Sequence, residues 1–275
     1  MVRKYVITGA SDGIGAAVTR ELLARGHHVI ALGTDPAKGE ALVDAARGTP
    51  GNVEFIRADL SLVATNRRVV ASILEHHPAV DGLVLCARFI RSYRAVTTEG
   101  LEDNFALLYL SRVLFGYGLR PALENAARPV IVNVAGPGHD TPVAWDDLQS
   151  ARDYDGVRAM FLASRLNDLL GVTFAQRFGD GPVRYVLFHP GTTSTGIVGE
   201  YDPPTAAYVE QQKALAKPAS EVVPPIVRLL DDPPAEPLTA FTPYREIDLG
   251  GGLFRPADAE RLAKITDELL DRVRE

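Results

Sequence analysis

The sequence predicts an α/β fold organised around a doubly wound parallel sheet, and three observations support this prediction. Short apolar β-type runs alternate with helical hydrophobic patterns through the first 190 residues. A glycine-rich turn joins the first of these runs to the first helix. No internal repeat, charge block or low-complexity linker divides the chain, so we expect a single domain over residues 1–275. Such an alternation places ligands at the carboxyl ends of the strands.

The first strand is predicted at residues 4–7, directly before a turn at residues 8–15 that reads TGASDGIG. A helix follows, with apolar residues at i, i+3, i+4 and i+8 counted from Ile14. The glycines allow the backbone to bend tightly and to approach a bound group, and the start of the helix presents free N–H groups to an anion. The stretch therefore predicts a nucleotide-type binding turn.

The remaining predicted elements continue the alternation of strands and helices. Strands are predicted at residues 28–32, 53–59, 82–87, 129–134, 183–188 and 238–242. Helices are predicted around residues 38–46, 69–74, 101–118, 156–178 and 257–273. The nearly continuous apolar run at residues 82–87 is typical of a strand that is buried on both faces of a parallel sheet.

Composition changes after the last long strand. Nine prolines fall between Pro190 and Pro237, with an amphipathic stretch at residues 206–216 among them. A long insertion at this point of an α/β fold lies at the carboxyl edge of the sheet. We therefore predict that residues 191–237 form a lid over the ligand pocket.

Bulk properties exclude several function classes. The chain has 275 residues and a net charge of −6, which offers no electrostatic footprint for nucleic acid or an anionic membrane. No apolar run approaches membrane-spanning length, and we expect a cytoplasmic protein. Cys86 is the only cysteine, which excludes an intrachain disulfide and a cysteine-based metal site. We expect no metal ligands and interpret Cys86 as a buried strand residue.

Several motifs together resemble the short-chain dehydrogenase/reductase family, and the retinol-dehydrogenase-like branch in particular. The turn at residues 8–15 matches that family's TGxxxGxG pattern, and Asp59-Leu60 matches the pair expected near an adenine. The segment His189-Pro190-Gly191 through Thr195 matches a PG-x-x-x-T motif that lies beside the nicotinamide. Residues 146–149 and 255–262 also look like that branch. The resemblance covers essentially the whole chain and implies a Rossmann-type fold that binds NAD or NADP.

The resemblance also implies which residues contact the dinucleotide. These are Gly9, Ser11, Asp12, Ile14, Gly15, Thr34, Asp59, Leu60, Ala87, Arg88, Arg165, Pro190 and Thr195. Arg88 stands where the family has a glycine that permits close passage of the dinucleotide. Thr34 stands where NADP-preferring relatives carry a base, and Asp12 disfavours a nearby 2′-phosphate. The pattern favours NAD over NADP, and chemistry without any dinucleotide stays open.

The family's chemistry depends on four positions, Asn, Ser, Tyr and Lys. Alignment of the motifs places Asn104 at the first position, Gly136 at the serine, Phe161 at the tyrosine and Arg165 at the lysine. Gly136 and Phe161 are 25 residues apart, as in the branch that the chain resembles. Phenylalanine has no ionisable proton, and an arginine does not give one up near neutral pH. Loss of a positioned general acid costs about 10²–10⁴ in rate.

Two other residues are candidates for a displaced acid. Tyr154 begins a second Y-x-x-x-basic pattern seven residues upstream of Phe161, where both aromatic rings are expected on one helix face. His139 lies in the loop after a strand and titrates near neutral pH when unperturbed. The candidate catalytic set is therefore Asn104, His139, Tyr154, Phe161 and Arg165.

Three functions remain open on this basis. The first is a divergent enzyme of this family that catalyses a cyclisation, isomerisation or elimination on a small, largely apolar metabolite. The second is an NAD(P)-dependent oxidoreductase with a relocated acid, and the third is a binding protein without activity. We expect a small-molecule substrate, and a homodimer or homotetramer formed through the helices that carry Asn104 and Phe161.

Overall fold

The fold is described from a computed structural model, which covers residues 2–194 and 198–273. Its centre is a seven-stranded parallel sheet with the strand order β3-β2-β1-β4-β6-β7-β9. The strands of this sheet are β1 (Lys4–Thr8), β2 (His28–Gly33), β3 (Asn52–Arg57), β4 (Gly82–Leu85), β6 (Val130–Val134), β7 (Arg184–Phe188) and β9 (Leu238–Phe241). The predicted doubly wound α/β fold is confirmed.

Helices cover both faces of the sheet. They are α1 (Gly13–Ala24), α2 (Pro36–Ala46), α3 (Val63–His76), α4 (Asp103–Phe105), α5 (Ser111–Gly118), α6 (Arg120–Glu124), α7 (Gly156–Phe178), α8 (Pro203–Ala214), α9 (Ala219–Asp231) and α10 (Pro256–Arg272). Helices α3, α5, α7 and α10 enclose one apolar core, and α1, α2 and α9 enclose the other. Because β4 is buried on both faces, its side chains belong to both cores, as its apolar run predicts.

Strand β1 lies between β2 and β4, so the chain leaves it towards opposite edges of the sheet. A crevice opens at the carboxyl ends of strands where the winding reverses in this way. The turn after β1 and the loops after β2, β4 and β6 therefore converge on one edge. This edge carries the cavity described below.

The helix predicted over residues 101–118 begins at Asp103 and is irregular in its middle. A π-helical segment, Ala106–Leu110, joins α4 to α5. Each turn of a π-helix holds an extra residue, so it shifts the face on which later side chains lie.

The predicted lid over residues 191–237 divides into two structurally different parts. Residues Gly199–Glu200 form strand β8, which pairs with β5 (Ile90–Arg91), and α8 borders the cavity. Helix α9 instead packs against α1, with Val222, Ile226 and Val227 almost fully buried. The apolar face of α9 therefore belongs to the core, and a lid over residues 191–237 stays a prediction. In the described residues, no helix has the length and apolar character that crossing a membrane requires.

Candidate active site

A cavity of about 730 Å³ runs along the carboxyl edge of the central strands. We divide it into two halves. The glycine-turn half is lined by Gly9, Ser11, Asp12, Gly13, Ile14, Leu32, Gly33, Thr34, Asp35, Lys38, Ala58, Asp59, Leu60 and Ser61. The Phe161 half is lined by Cys86, Ala87, Arg88, Leu107, Leu108, Arg112, Ala135, Gly136, His139, Met160, Phe161, Ser164, His189, Pro190 and Tyr201. The two halves meet where the turn after β1 passes the loop after β4.

Backbone geometry shapes the glycine-turn half. Gly9 has φ +67°, and a Cβ atom there would lie 2.8 Å from the Cα of Ala87. Only glycine allows both this conformation and this approach, so the turn lies close to the loop after β4. Gly15 does not line the cavity, because it packs against the carbonyl oxygen of Gly9. Gly15 thus supports the turn by packing, and its predicted contact with a dinucleotide stays a prediction.

Asp12 begins helix α1 and lies at the cavity wall. Its carboxylate accepts a hydrogen bond from the Gly13 N–H at 2.7 Å and forms an ion pair with Lys38. Burial alone would raise the pKa of Asp12, but these hydrogen bonds, with the charge of Lys38, lower it overall. Asp12 is therefore an ionised cap with its charge balanced by a lysine that also lines the cavity.

Most of the residues predicted to contact a dinucleotide border this cavity. They are Gly9, Ser11, Asp12, Ile14, Thr34, Asp59, Leu60, Ala87, Arg88 and Pro190. Thr195, predicted for the same role, lies outside the described residues. Asp59 uses its carboxylate to accept hydrogen bonds from the N–H and hydroxyl of Ser61, at 3.0 and 2.7 Å. That contact holds the loop after β3 at the far end of the glycine-turn half.

Phe161 and His139 form the apolar wall of the Phe161 half. Phe161 lies on α7, and His139 lies in the loop after β6. Their rings stack with centroids 4.1 Å apart and planes at 15°. The Nδ1 atom of His139 lies 2.6 Å from the hydroxyl of Thr141. The structure thus brings His139 directly beside the ring that stands in the tyrosine position.

Asn104 and Tyr154 lie together, but below the cavity rather than in its wall. Asn104 is fully buried, and its Nδ2 donates to the Tyr154 hydroxyl at 2.7 Å and to the Arg91 carbonyl at 3.1 Å. Tyr154 donates to Glu102 at 2.8 Å. Leu107 and Leu108, on the π-helical segment, line the cavity.

Neither Asn104 nor Tyr154 is placed to exchange a proton with a bound substrate. Tyr154 precedes α7 rather than lying on it, since Asp155 caps the helix. Burial raises the pKa of Tyr154, and the charge of Glu102 raises it further. Tyr154 therefore does not share the helix face of Phe161, and neither Tyr154 nor Asn104 is part of the cavity lining. Their catalytic roles stay predictions.

Arg165 turns away from the cavity. Its side chain is buried, and its Nη1 lies 3.6 Å from Oδ2 of Asp168, which also accepts from the Gly138 N–H at 3.2 Å. Burial lowers the pKa of Arg165 and raises that of Asp168 to about 7. Arg165 is not part of the cavity lining, because its guanidinium pairs with the buried carboxylate three residues later on α7, and its predicted role stays a prediction.

Two arginines occupy the inner end of the Phe161 half. The Nη2 of Arg88 donates to the sulfur of Met160 at 2.9 Å, so its side chain crosses from the end of β4 to α7. Arg112, on α5, is only 4% exposed and donates to Oδ1 of Asn133 at 2.5 Å. Burial lowers the pKa of Arg112 to about 10.

Sequence reasoning missed three features of this half. Leu108 and Arg112 lie on the helix of Asn104, four and eight residues after it, a spacing that puts all three on one face of a regular helix. Tyr201, between β8 and α8, lines the cavity, and its hydroxyl is buried without a hydrogen-bond partner in the described structure. Arg112 had a sequence signal, because it is a charged residue within an apolar helical stretch.

The protonatable groups of the Phe161 half restrict its chemistry. Burial raises the pKa of the Cys86 thiol to about 12, so Cys86 is not a thiolate nucleophile. Burial lowers the pKa of His189, whose Nδ1 accepts from the Gly191 N–H at 3.0 Å. His139, His189 and Tyr201 can exchange protons with a ligand here, whereas Phe161 cannot. No group of metal-ligating side chains occurs within residues 2–194 and 198–273.

Comparison with known proteins identifies the family. The family model described as short chain dehydrogenase matches residues 3–145, just over half of the chain. The chain therefore belongs to the short-chain dehydrogenase family. The resemblance of its motifs to that family is confirmed.

Curated relatives include retinol dehydrogenases. Human retinol dehydrogenase 12 is 29% identical over 197 residues, which cover 70% of this chain and 62% of the relative. An NmrA-like family domain-containing oxidoreductase from an Aspergillus species is 29% identical over 201 residues, covering 69% of this chain and 60% of the relative. The chain thus matches about three fifths of the length of these relatives.

Solved structures show the same fold. A short-chain dehydrogenase from Streptomyces avermitilis aligns with a TM-score of 0.65 and 20% identity, covering 98% of this chain and 94% of the other. An alcohol dehydrogenase from Thermococcus sibiricus, solved in complex with 5-hydroxy-NADP, aligns with a TM-score of 0.63 and 18% identity over 88% of this chain and 96% of the other. At these identities the likeness concerns the fold alone.

Proposed function

We propose that this chain is a short-chain dehydrogenase-type enzyme without the family's Ser–Tyr–Lys relay, and that it catalyses a cyclisation, isomerisation or elimination on a small, largely apolar metabolite. The observation that carries the proposal is the stacked pair of rings in the Phe161 half. Phe161 stacks on His139 where the relay would need a hydroxyl. Proton transfer from that position is absent, whereas an apolar substrate finds Leu107, Leu108 and Phe161 as its wall.

The other relay positions support the same proposal. Arg165 is paired with Asp168 at 3.6 Å and does not reach the cavity. Gly136 has φ +78°, a conformation in which a serine is strained. Its backbone therefore favours the glycine over the residue that would orient a substrate oxygen.

The glycine-turn half fits a dinucleotide, because the turn at Gly9 has no Cβ to stand between the backbone and a ligand, and the start of α1 offers free N–H groups to a pyrophosphate. Gly9, Ser11, Ile14 and Thr34 would hold its phosphates and adenosine. When bound, a nicotinamide cofactor supplies hydride transfer. At the other end the fit is poor, because Arg88 crosses to Met160 in the space where the family has a glycine. We therefore propose that a bound NAD or NADP takes no part in the chemistry.

Side chains of the Phe161 half then exclude water and hold or move a proton. Phe161 and the two leucines exclude water from the substrate, and His139 holds or moves a proton at its ring nitrogens. Tyr201 offers a hydroxyl whose pKa burial raises, although the charge of Arg88 lowers it in part. A neutral phenol of this kind donates a hydrogen bond to a substrate oxygen.

A second candidate is an NAD(P)-dependent oxidoreductase in which His139 replaces the lost acid. The position of His139 against Phe161 favours it, as do the oxidoreductase names of the relatives. In this case the Arg88 side chain moves out of the space that the nicotinamide needs.

Two measurements separate the two candidates. The chain is titrated with NADH and NADPH, and turnover of carbonyl substrates is then measured at a saturating concentration of each. We expect no turnover by the natural chain. Turnover of aldehydes or ketones that disappears in His139→Ala would establish the second candidate instead.

Replacing Phe161→Tyr together with Arg165→Lys tests whether the lost relay is the cause of the missing turnover, and Phe178→Tyr on the same helix is the matched control. A reductase activity that is equally high in the natural chain and in the double variant contradicts the proposal.

A further inference from the structure

The inner end of the Phe161 half carries two positive charges that no carboxylate balances. Arg88 and Arg112 both line the cavity, and within residues 2–194 and 198–273 neither forms an ion pair. They lie close enough that the charge of Arg88 lowers the pKa of Arg112. Two like charges in one partly enclosed space are unfavourable unless an anion joins them.

Arg112 is a fixed charge. Its guanidinium donates to Oδ1 of Asn133 at 2.5 Å, to the Val134 carbonyl at 3.0 Å and to the Ala87 carbonyl at 3.5 Å. All three acceptors are neutral, and its Nε is buried without a partner. These contacts hold the guanidinium between the ends of β4 and β6, but they do not compensate its charge.

Arg88 is the accessible charge. Its described hydrogen bond goes to the thioether of Met160, which is a weak acceptor, and its side chain is exposed at the cavity wall. Burial by the surrounding walls lowers its pKa. A ligand oxygen would therefore replace a poor contact rather than compete with a strong one.

The acids that line the same cavity are each occupied elsewhere. The pairings are Asp12 with Lys38, Asp35 with the Ala37 N–H, Asp59 with Ser61, and Asp103 with Arg91. None of these carboxylates is recorded in contact with Arg88 or Arg112. The positive potential at the inner end is therefore a property of the described cavity wall.

Tyr201 adds an independent observation. Its hydroxyl is buried, lacks a hydrogen-bond partner in the described part of the chain, and lies near enough to Arg88 for that charge to lower its pKa. An unpaired buried hydroxyl costs free energy, which a ligand acceptor would recover.

We infer that Arg88 and Arg112, assisted by Tyr201, form a binding site for the carboxylate of a small molecule whose apolar body lies against Met160, Phe161 and Leu108. A guanidinium fork matches the two oxygens of a carboxylate. A phosphate site built from backbone N–H groups is available at the other end of the cavity, at the start of α1. The inference deepens the proposed function, because it gives the substrate class one anionic group.

Binding of benzoate and benzamide to the full chain, measured by calorimetry, tests this site without reference to any reaction. The two probes have the same ring and differ in charge. We expect benzoate to bind about tenfold or more tighter, since charge-assisted hydrogen bonds are about twice as strong as neutral ones. In Arg88→Met the ratio falls to about one, and in Tyr201→Phe it falls by a smaller factor. Arg158→Met, at an exposed arginine on the first turn of α7, keeps the natural ratio.

ADP-ribose serves as the second arm, because it carries the pyrophosphate of a dinucleotide without the nicotinamide. We expect its affinity to change less than about twofold in Arg88→Met, because the glycine turn holds its phosphates. Loss of ADP-ribose binding in that variant, with benzoate and benzamide indistinguishable in the natural chain, assigns the arginines to the dinucleotide and overturns the inference. Equal binding of the two probes alone also overturns it. Neither outcome bears on whether the chain turns over a carbonyl substrate, so the two proposals fail separately.

Discussion

The two halves of the cavity differ in what they are made of. The glycine-turn half is formed by backbone: Gly9 approaches Ala87, and Gly15 packs on Gly9. The Phe161 half is formed by side chains, which project from α5, α7 and the loops after β4 and β6. A turn that packs against its own sheet cannot change without a loss of stability, whereas projecting side chains can be exchanged at little cost to the fold. The comparison explains why the first half matches the family's motifs and the second departs from them.

The largest expected effect concerns the buried pair that diverts Arg165 from the cavity. Removal of one partner leaves an uncompensated buried charge, so Asp168→Ala should lower the free energy of unfolding by about 3–5 kcal/mol. The joint change Arg165→Met with Asp168→Leu should be nearly neutral. Chemical denaturation at pH 7 measures both, and equal destabilisation by the two variants would show that the pair itself holds the helix in place.

The same pair predicts a pH dependence. Burial raises the pKa of Asp168 in the folded state to about 7, above its unfolded value of 3.8, so the folded state binds the extra proton. The resulting stability is fully present below about pH 4 and is lost as the pH rises towards 7, by at most about 1.4 kcal/mol per pH unit. Denaturation curves of the natural chain between pH 4 and pH 8 should show this loss, and those of the Arg165→Met, Asp168→Leu variant should lack it.

The glycine turn predicts the next effect. In Gly9→Val the new side chain meets the backbone of Ala87 and requires a φ that valine avoids. We expect a stability loss of about 1–3 kcal/mol and loss of ADP-ribose binding on the order of 100-fold. Gly48→Val is the control, because a Cβ there meets nothing within 4 Å. Unchanged ADP-ribose affinity in Gly9→Val would contradict the assignment of the phosphate site to the glycine-turn half.

Substitutions of Arg88 test the Phe161 half through changes in ligand affinity. Arg88→Gly removes the side chain that crosses to Met160, so NADH should bind about tenfold tighter while ADP-ribose affinity stays the same. Arg88→Met retains bulk without charge and should give less than half of this gain. A drop in NADH affinity in Arg88→Gly would instead show that Arg88 contacts the cofactor.

Tyr154 predicts the smallest effect. Tyr154→Phe removes the hydrogen bonds to Glu102 and Asn104 below the cavity and should cost about 1 kcal/mol in unfolding free energy. Because Tyr154 does not line the cavity, its ligand affinities should match those of the natural chain. Tyr244→Phe, at an exposed tyrosine outside the cavity lining, controls for the loss of a hydroxyl. A changed benzoate or NADH affinity in Tyr154→Phe would return this residue to the binding site.

The sequence by itself determined the parallel sheet, the glycine turn, α7, and the absence of a hydroxyl at Phe161. These follow from local periodicity and residue chemistry, which act over a few neighbouring residues. The tertiary structure decided which side chains face the cavity. Asn104 bonds to Arg91 and Tyr154, Arg165 pairs with Asp168 in the interior, and packing on α1 places α9 in the core. Such outcomes depend on tertiary contacts, so a local sequence pattern does not contain them.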